Sequence, residues 1–122
     1  MMKKNNFGRI VNIASIWSKI TKSGRTVYSM SKSALVGMTR TLAVESAAHN
    51  VLVNCVSPGF TMTELTRSTL SDEEIQQLSN QVPMKRFANP GEISKVVMFL
   101  CSDMNSYITG ENIVVDGGYT NV

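Results

Sequence analysis

No aspartate or glutamate occurs before Glu45, whereas eight lysines and arginines fall between Lys3 and Arg40. The chain carries a net charge of +3, concentrated in its first third. That lopsidedness points to a solvated basic face, or to a face complemented by acids on a partner segment. Nucleic acid is excluded as the expected partner, because the cations are scattered and have neither interleaved aromatics nor a recognisable binding motif. Long apolar runs are also missing. Ile113-Val114-Val115 is typical of the short blocks present, and a membrane-spanning helix needs about 20 apolar residues. The expectation is therefore a soluble protein with no membrane partner. Met1-Met2-Lys3-Lys4-Asn5-Asn6 is basic but runs into Phe7-Gly8-Arg9 instead of an apolar stretch, so no secretory signal is visible and a cytoplasmic location is expected. Cysteine is scarce. Cys55 and Cys101 lie in apolar segments without metal-like spacing and read as buried, reduced thiols. Finally, no glycine-rich phosphate loop is present, and there are no internal repeats, low-complexity tracts or interdomain linkers.

With 122 residues, 43% hydrophobic and 17% charged, the chain has the composition of one core-forming domain. Arg9-Ile10-Val11-Asn12-Ile13-Ala14 is short, apolar and β-branched. It reads as a buried strand whose tip presents the Ser15 hydroxyl. Ser18, Ser23 and Gly24 mark a loop up to Arg25. A helix follows from Thr26 or Val27 to about Ala48, with Ala34, Leu35, Met38 and Leu42 as its apolar stripe. Val51 to Val56 is again strand-like, closed by Ser57-Pro58-Gly59. Strand, helix, strand is a parallel crossover unit, right-handed by default. A polar, threonine-rich segment comes next. Ser71 and Glu74 then form a capping box that opens a short helix to about Asn80. Asn89, Pro90 and Glu92 open another, which packs Ile93, Val96, Val97, Leu100 and Cys101 inward and stops near Ser102. Asn112 to Asp116 is the last strand, after a turn at Thr109-Gly110 and before Gly117-Gly118.

Tyr28 and Lys32 lie four residues apart, on one face of the first helix. A phenol is a poor proton-transfer group at neutral pH, and an ammonium one turn away favours its ionised form. Ser15, at the tip of the preceding strand, is placed to hold a substrate oxygen. Each feature alone has an ordinary explanation: an amphipathic surface pair, a cap after a strand, a Pro-Gly turn at Pro58-Gly59. Taken together, Asn12-Ile13-Ala14-Ser15, Tyr28-Ser29-Met30-Ser31-Lys32, Asn54-Cys55-Val56-Ser57-Pro58-Gly59, Thr109-Gly110 and Val115-Asp116-Gly117-Gly118 resemble the short-chain dehydrogenase/reductase family. The likeness covers nearly the whole chain and is strongest to the branch of the bacterial 3-oxoacyl-(acyl-carrier-protein) reductases.

That resemblance implies an α/β fold, the C-terminal half of a Rossmann-like doubly wound parallel sheet in the order strand-helix-strand-helices-strand. Residues 1–122 would be a single partial domain lacking the N-terminal dinucleotide-binding half. It further implies an oxidoreductase that uses NAD or NADP to interconvert a small-molecule carbonyl and alcohol. Tyr28 would be the acid/base. Lys32 would poise the tyrosine and bind the nicotinamide ribose, and Ser15 would orient the reacting oxygen. Pro58, Gly59, Thr61 and Thr63 would lie along the nicotinamide and pyrophosphate, through backbone amides and hydroxyls. Met62 to about Val82 would be the substrate lid. Met30 departs from the family's usual small residue without disturbing the spacing of Tyr28 and Lys32. The family's glycine-rich turn, adenosine-ribose selector and catalytic asparagine would lie upstream of Met1, which resembles an internal position of the family's fold. Phe7-Gly8-Arg9, with one glycine, cannot supply that turn.

A parallel strand is normally covered on both faces and paired on both edges, so Ile10, Val11 and Ile13 are expected to leave an open edge. Such an edge invites association: either a homo-oligomer or pairing with a complementary chain of the family. The alternative function is a non-catalytic fragment acting as an interaction module or remnant. A reading frame that begins upstream would explain the same features.

Overall fold

The computed structural model describes all 122 residues, Met1 to Val122. Strands β1 (Gly8–Ile13), β2 (Val51–Pro58) and β3 (Asn112–Val115) lie parallel in the order β1-β2-β3. Helix α1, Thr26–Ser46, carries the chain from β1 to β2, as parallel pairing demands. Helices α2 (Glu64–Thr69), α3 (Asp72–Gln81) and α4 (Pro90–Cys101) fill the connection from β2 to β3. This is the expected α/β order. The short helix α2 is an addition within the stretch read only as polar and threonine-rich. Thr63 caps it by accepting the Thr66 N–H at 3.1 Å, a local bond that composition alone does not announce. No helix is long and apolar enough to cross a membrane.

β2 is the centre of the sheet, the one strand with a neighbour on each side, and Val51 to Ser57 are all buried. α1 packs on it through Val36, Thr39, Ala43 and Ser46. These are small or β-branched residues, which let the helix approach the sheet closely. The Thr39 hydroxyl accepts from Asn12 Nδ2 at 2.9 Å and sits 3.0 Å from Cys55 Sγ. Three polar groups at the junction of β1, α1 and β2 thereby satisfy one another. Burial pushes the Cys55 thiol up, which keeps it a neutral thiol.

Two expectations need correction here. The apolar stripe read on α1 is rotated from the buried face: Leu35 and Leu42 are half-buried, but Ala34 and Met38 are exposed. Cys101 is exposed as well, not buried. It lies one turn beyond Val97, which is only half-buried and borders an open cleft, so that face of α4 is not core. Met30 points outward, 65% exposed, and therefore disturbs no packing. β1 forms one edge of the sheet, with Ile10 and Val11 half-buried and Ile13 46% exposed.

Both predicted helix starts are present. Ser71 and Glu74 exchange bonds at the start of α3, and at the start of α4 the Asn89 N–H donates to Glu92 Oε2 at 2.8 Å while the Glu92 N–H turns to the Asn89 carbonyl. Arg86 adds a two-pronged ion pair to Glu92, each N···O distance being 2.7 Å. The guanidinium bonds of Arg86, then the Asn89 N–H, hold the Glu92 carboxyl down to about 2 against an ordinary 4.5. A carboxyl depressed in the folded state stabilises above its unfolded value and loses that contribution as pH falls through its folded one. Glu92→Gln is therefore expected to lower the melting temperature at neutral pH. The melting curves of the two proteins, followed by circular dichroism, should converge between pH 4.5 and pH 2. The side chains are 46% and 38% exposed, so solvent screening keeps the effect modest.

Candidate active site

The parallel register sets the tips of β1 and β2 side by side. Ile13 pairs with Val56, and the Ala14 N–H donates to the Val56 carbonyl at 2.8 Å. Ser15 and Pro58 are thus delivered to the same end of the sheet, the C-terminal end of its strands, where open parallel sheets place their ligands. The Ser15 side chain is almost completely buried and accepts the Trp17 N–H at 3.3 Å. With a backbone donor on its oxygen, the hydroxyl keeps its own proton for a ligand.

Tyr28 and Lys32 come from the first turns of α1. Lys32 Nζ lies 5.6 Å from the Tyr28 ring centroid and donates to the Ile13 carbonyl at 3.0 Å. That second contact ties the ammonium to the end of β1 and fixes it beside the phenol. Tyr28 is 42% exposed, open to an incoming molecule.

The loop after β2 completes the wall. Gly59 donates its N–H to the Val115 carbonyl at 2.9 Å, and a Cβ at this position would stand 2.8 Å from Asp116 Cα. Only glycine lets the two backbones come this close. The Thr61 hydroxyl donates to the Gly59 carbonyl at 3.2 Å, and the Thr63 hydroxyl is taken up in capping α2. Both hydroxyls are thus engaged within their own loop, whereas the Thr61 amide has no backbone acceptor.

Ser15, Tyr28, Lys32, Pro58, Gly59, Thr61 and Thr63, the seven residues singled out from sequence, all line one cleft of about 540 Å³. Pro90, Ile93 and Val97 of α4 form its far wall. Their helical spacing reads as core facing, and nothing in the sequence separates a helix that covers a core from one that covers a cleft. A second chamber of about 390 Å³ adjoins the first and shares Ser15, Tyr28, Gly59, Thr61 and Thr63 with it. Leu65, Leu70 and Leu78 of the α2–α3 segment close over it, in the stretch expected to form a lid. No acidic side chain lines either space. The arrangement is a two-sided site: the Ser15 hydroxyl and the Tyr28 phenol stand at the boundary between two ligand-sized cavities, and the Lys32 ammonium lines the first of them.

The family model described as enoyl-(acyl carrier protein) reductase matches residues 1–120. The 3-oxoacyl-[acyl-carrier-protein] reductase FabG of Aquifex aeolicus is 49% identical over 117 residues, which is 96% of this chain and 47% of that protein. The crystal structure of YwfH, an NADPH dependent reductase involved in bacilysin biosynthesis, superposes with a TM-score of 0.89 at 34% identity, covering 97% of this chain and 49% of the other. A short-chain type dehydrogenase/reductase from Mycobacterium marinum superposes with a TM-score of 0.86 at 35% identity, covering 98% and 47%. The chain spans about half the length of the curated relatives it matches. On this agreement of motif order, parallel-sheet architecture and relatives, the chain belongs to the short-chain dehydrogenase/reductase family, in its 3-oxoacyl-(acyl-carrier-protein) reductase-like branch.

Proposed function

We propose that this chain carries the proton-transfer part of a nicotinamide-dependent carbonyl/alcohol oxidoreductase, and that its 122 residues are the C-terminal half of a Rossmann-like domain. The observation that carries this reading is the convergence of Ser15, Tyr28 and Lys32, from two different elements, on one cleft with Pro58, Gly59 and Thr61. The cleft suits a dinucleotide. Its walls at Pro58, Ile93 and Val97 are apolar, its polar groups include an ammonium and several hydroxyls, and it has no carboxylate to repel a phosphate. Lys32 would hold the nicotinamide ribose, while Pro58, Gly59 and the Thr61 amide would lie along the nicotinamide and pyrophosphate. Thr63 would join them only by giving up its cap on α2. When bound, NAD or NADP accepts or supplies the hydride.

The remaining steps belong to the chain's own residues. Ser15 donates a hydrogen bond to the substrate oxygen and holds it at the boundary of the two chambers. Tyr28 gives its phenolic proton to that oxygen in the reductive direction and takes it back in the oxidative one. Lys32, held beside the ring by its bond to the Ile13 carbonyl, stabilises the phenolate left behind. The test is to follow consumption of NADH and NADPH with a 3-oxoacyl thioester, using the chain alone and the chain supplemented with the N-terminal half of the Aquifex aeolicus reductase. Turnover dependent on this chain supports the proposal. Absence of both turnover and nicotinamide binding in either form sinks it.

A second reading, a non-catalytic interaction module, draws on the outer face of α1, where Val27 is 73%, Met30 65% and Val44 84% exposed. The open edge of β1 adds to that face. Both favour association with another copy or with a complementary chain of the family. The purified chain is expected to self-associate in light scattering, and a monodisperse monomer with a cooperative melt would contradict this. Co-purification with a full-length relative that is indifferent to Tyr28→Phe would favour the module over the enzyme.

A further inference from the structure

The second chamber is built unlike the first. Its inner wall is apolar, from Phe60, Leu65 and Phe87, whereas the loop between Ser15 and α1 contributes Trp17, Lys22 and Arg25. Lys22 Nζ stands 5.5 Å from the centroid of the Trp17 ring and the Arg25 guanidinium carbon 5.9 Å from it. One indole thus gathers both cations at the chamber. Neither side chain donates a hydrogen bond, and neither has a carboxylate: the chain's single ion pair is Arg86 with Glu92. The uncapped N-terminus of α1, which has no acidic residue in its first turn, adds potential of the same sign. Two like charges held at one indole beside a cavity, with no internal counterion, make the mouth of the chamber positive; both side chains are exposed, so solvent and salt screen that potential.

We propose that this chamber selects carbonyl substrates bearing a negative charge, a carboxylate or a phosphate, which binds between Lys22 and Arg25 while the apolar part of the molecule rests against Phe60 and Phe87. The inference deepens the reading that Ser15 and Tyr28 address the reacting carbonyl, and rests on it. Arg25 is three residues before Tyr28, so a charge held at the rim keeps the attached carbonyl within reach of the phenol. A neutral ketone or polyol would leave both cations unmatched and gain only the apolar contact. The anionic group is therefore the specificity-determining feature, and Lys22 and Arg25 are the residues that read it.

Trp17 is the chain's only tryptophan, so its emission reports directly on this loop. The 122-residue chain is titrated with acetoacetate, with acetoacetyl-coenzyme A and with ethyl acetoacetate. These present the same carbonyl with a carboxylate, with phosphates, or with no charge. At least one anionic compound is expected to give a saturable change in Trp17 emission, at least about tenfold tighter than the neutral ester and weakened by added salt. Response to acetoacetate alone identifies a small oxo acid, and response to the coenzyme A ester alone identifies a phosphate-bearing arm. The double variant Lys22→Gln, Arg25→Gln is expected to lose about tenfold or more in affinity for the anion while the Phe60 and Phe87 wall remains. Equal binding of the neutral ester, no response to any of the three compounds, or undiminished anion binding by the double variant would overturn the proposal. Turnover of the same three compounds is read in the assay supplemented with the N-terminal half of the Aquifex aeolicus reductase. Anion binding without turnover thus removes the catalytic reading alone, and turnover indifferent to substrate charge removes this inference alone.

Discussion

Tyr28→Phe is expected to reduce carbonyl turnover by about 10²- to 10⁴-fold, the usual contribution of a positioned proton-transfer group. The measurement is nicotinamide oxidation in the complemented assay, with kcat and KM determined separately. The loss should fall on kcat. The ring that forms the chamber wall is retained in phenylalanine, and only the proton donor to the substrate oxygen is removed. Stability should barely change, because Tyr28 is 42% exposed and its hydroxyl has no hydrogen-bond partner within the chain. Lys32→Ala should cost turnover too. It would also release the bond to the Ile13 carbonyl, so its effect mixes chemistry with the anchoring of α1 to the tip of β1. A Tyr28→Phe protein that retained activity within a few-fold would remove the phenol from the reaction and, with it, the central role assigned to the pair.

Leu100→Ala is expected to destabilise the chain by about 3 to 5 kcal/mol, the cost of truncating a fully buried leucine where the surroundings cannot collapse. Leu100 is 1% exposed and belongs to the helix that packs on β1 and β2. Only 20 of the 122 residues are buried, so a single core side chain carries a large share of a net stability that is about 5 to 15 kcal/mol for an ordinary domain. The midpoint of urea denaturation, followed by far-ultraviolet circular dichroism, measures the loss. Lys95→Ala, at an exposed position on the same helix, is the control and should shift the midpoint little. If the two variants denature alike, α4 is not held by its buried face. Because α4 supplies Pro90, Ile93 and Val97 to the cleft, loosening it should also weaken nicotinamide binding at temperatures well below the melt.

Strong local signals explain why much of the architecture is legible in the sequence. The β-branched runs at Ile10, Val11 and Ile13 and from Val51 to Val56 become strands because little else suits a pleated, covered surface. Ser71 with Glu74, and Asn89 with Pro90 and Glu92, start helices because they satisfy the orphan N–H groups of a first turn within a few residues. α2 escapes this logic. Its threonines have modest helix propensity, and it is held by one side-chain cap and by the loop bond from the Met62 N–H to the Ala88 carbonyl. The buried face of α1 escapes it too. Close approach to β2 selects Thr39, Ala43 and Ser46 over the larger Met38, so a reading by hydrophobicity is turned partly away from the buried face, with only Leu35 and Leu42 at its margin. Cys101 continues a stripe that looks uniform in sequence, yet its part of the helix borders open space.

The sequence by itself determined the strand and helix order, the pairing of Tyr28 with Lys32 on one helical face, and the family. Each is set by local periodicity, capping or motif spacing, all of which act over a few residues. Only the tertiary structure decided that Ser15, just beyond β1, and Pro58 to Thr63, at and beyond the end of β2, meet that pair in one cleft. Only it showed that Lys22 and Arg25 are gathered on Trp17 beside a second chamber. Those contacts join residues far apart in the chain. They exist because the parallel register of β1 with β2 places two strand tips side by side, a long-range pairing that no short stretch of sequence encodes.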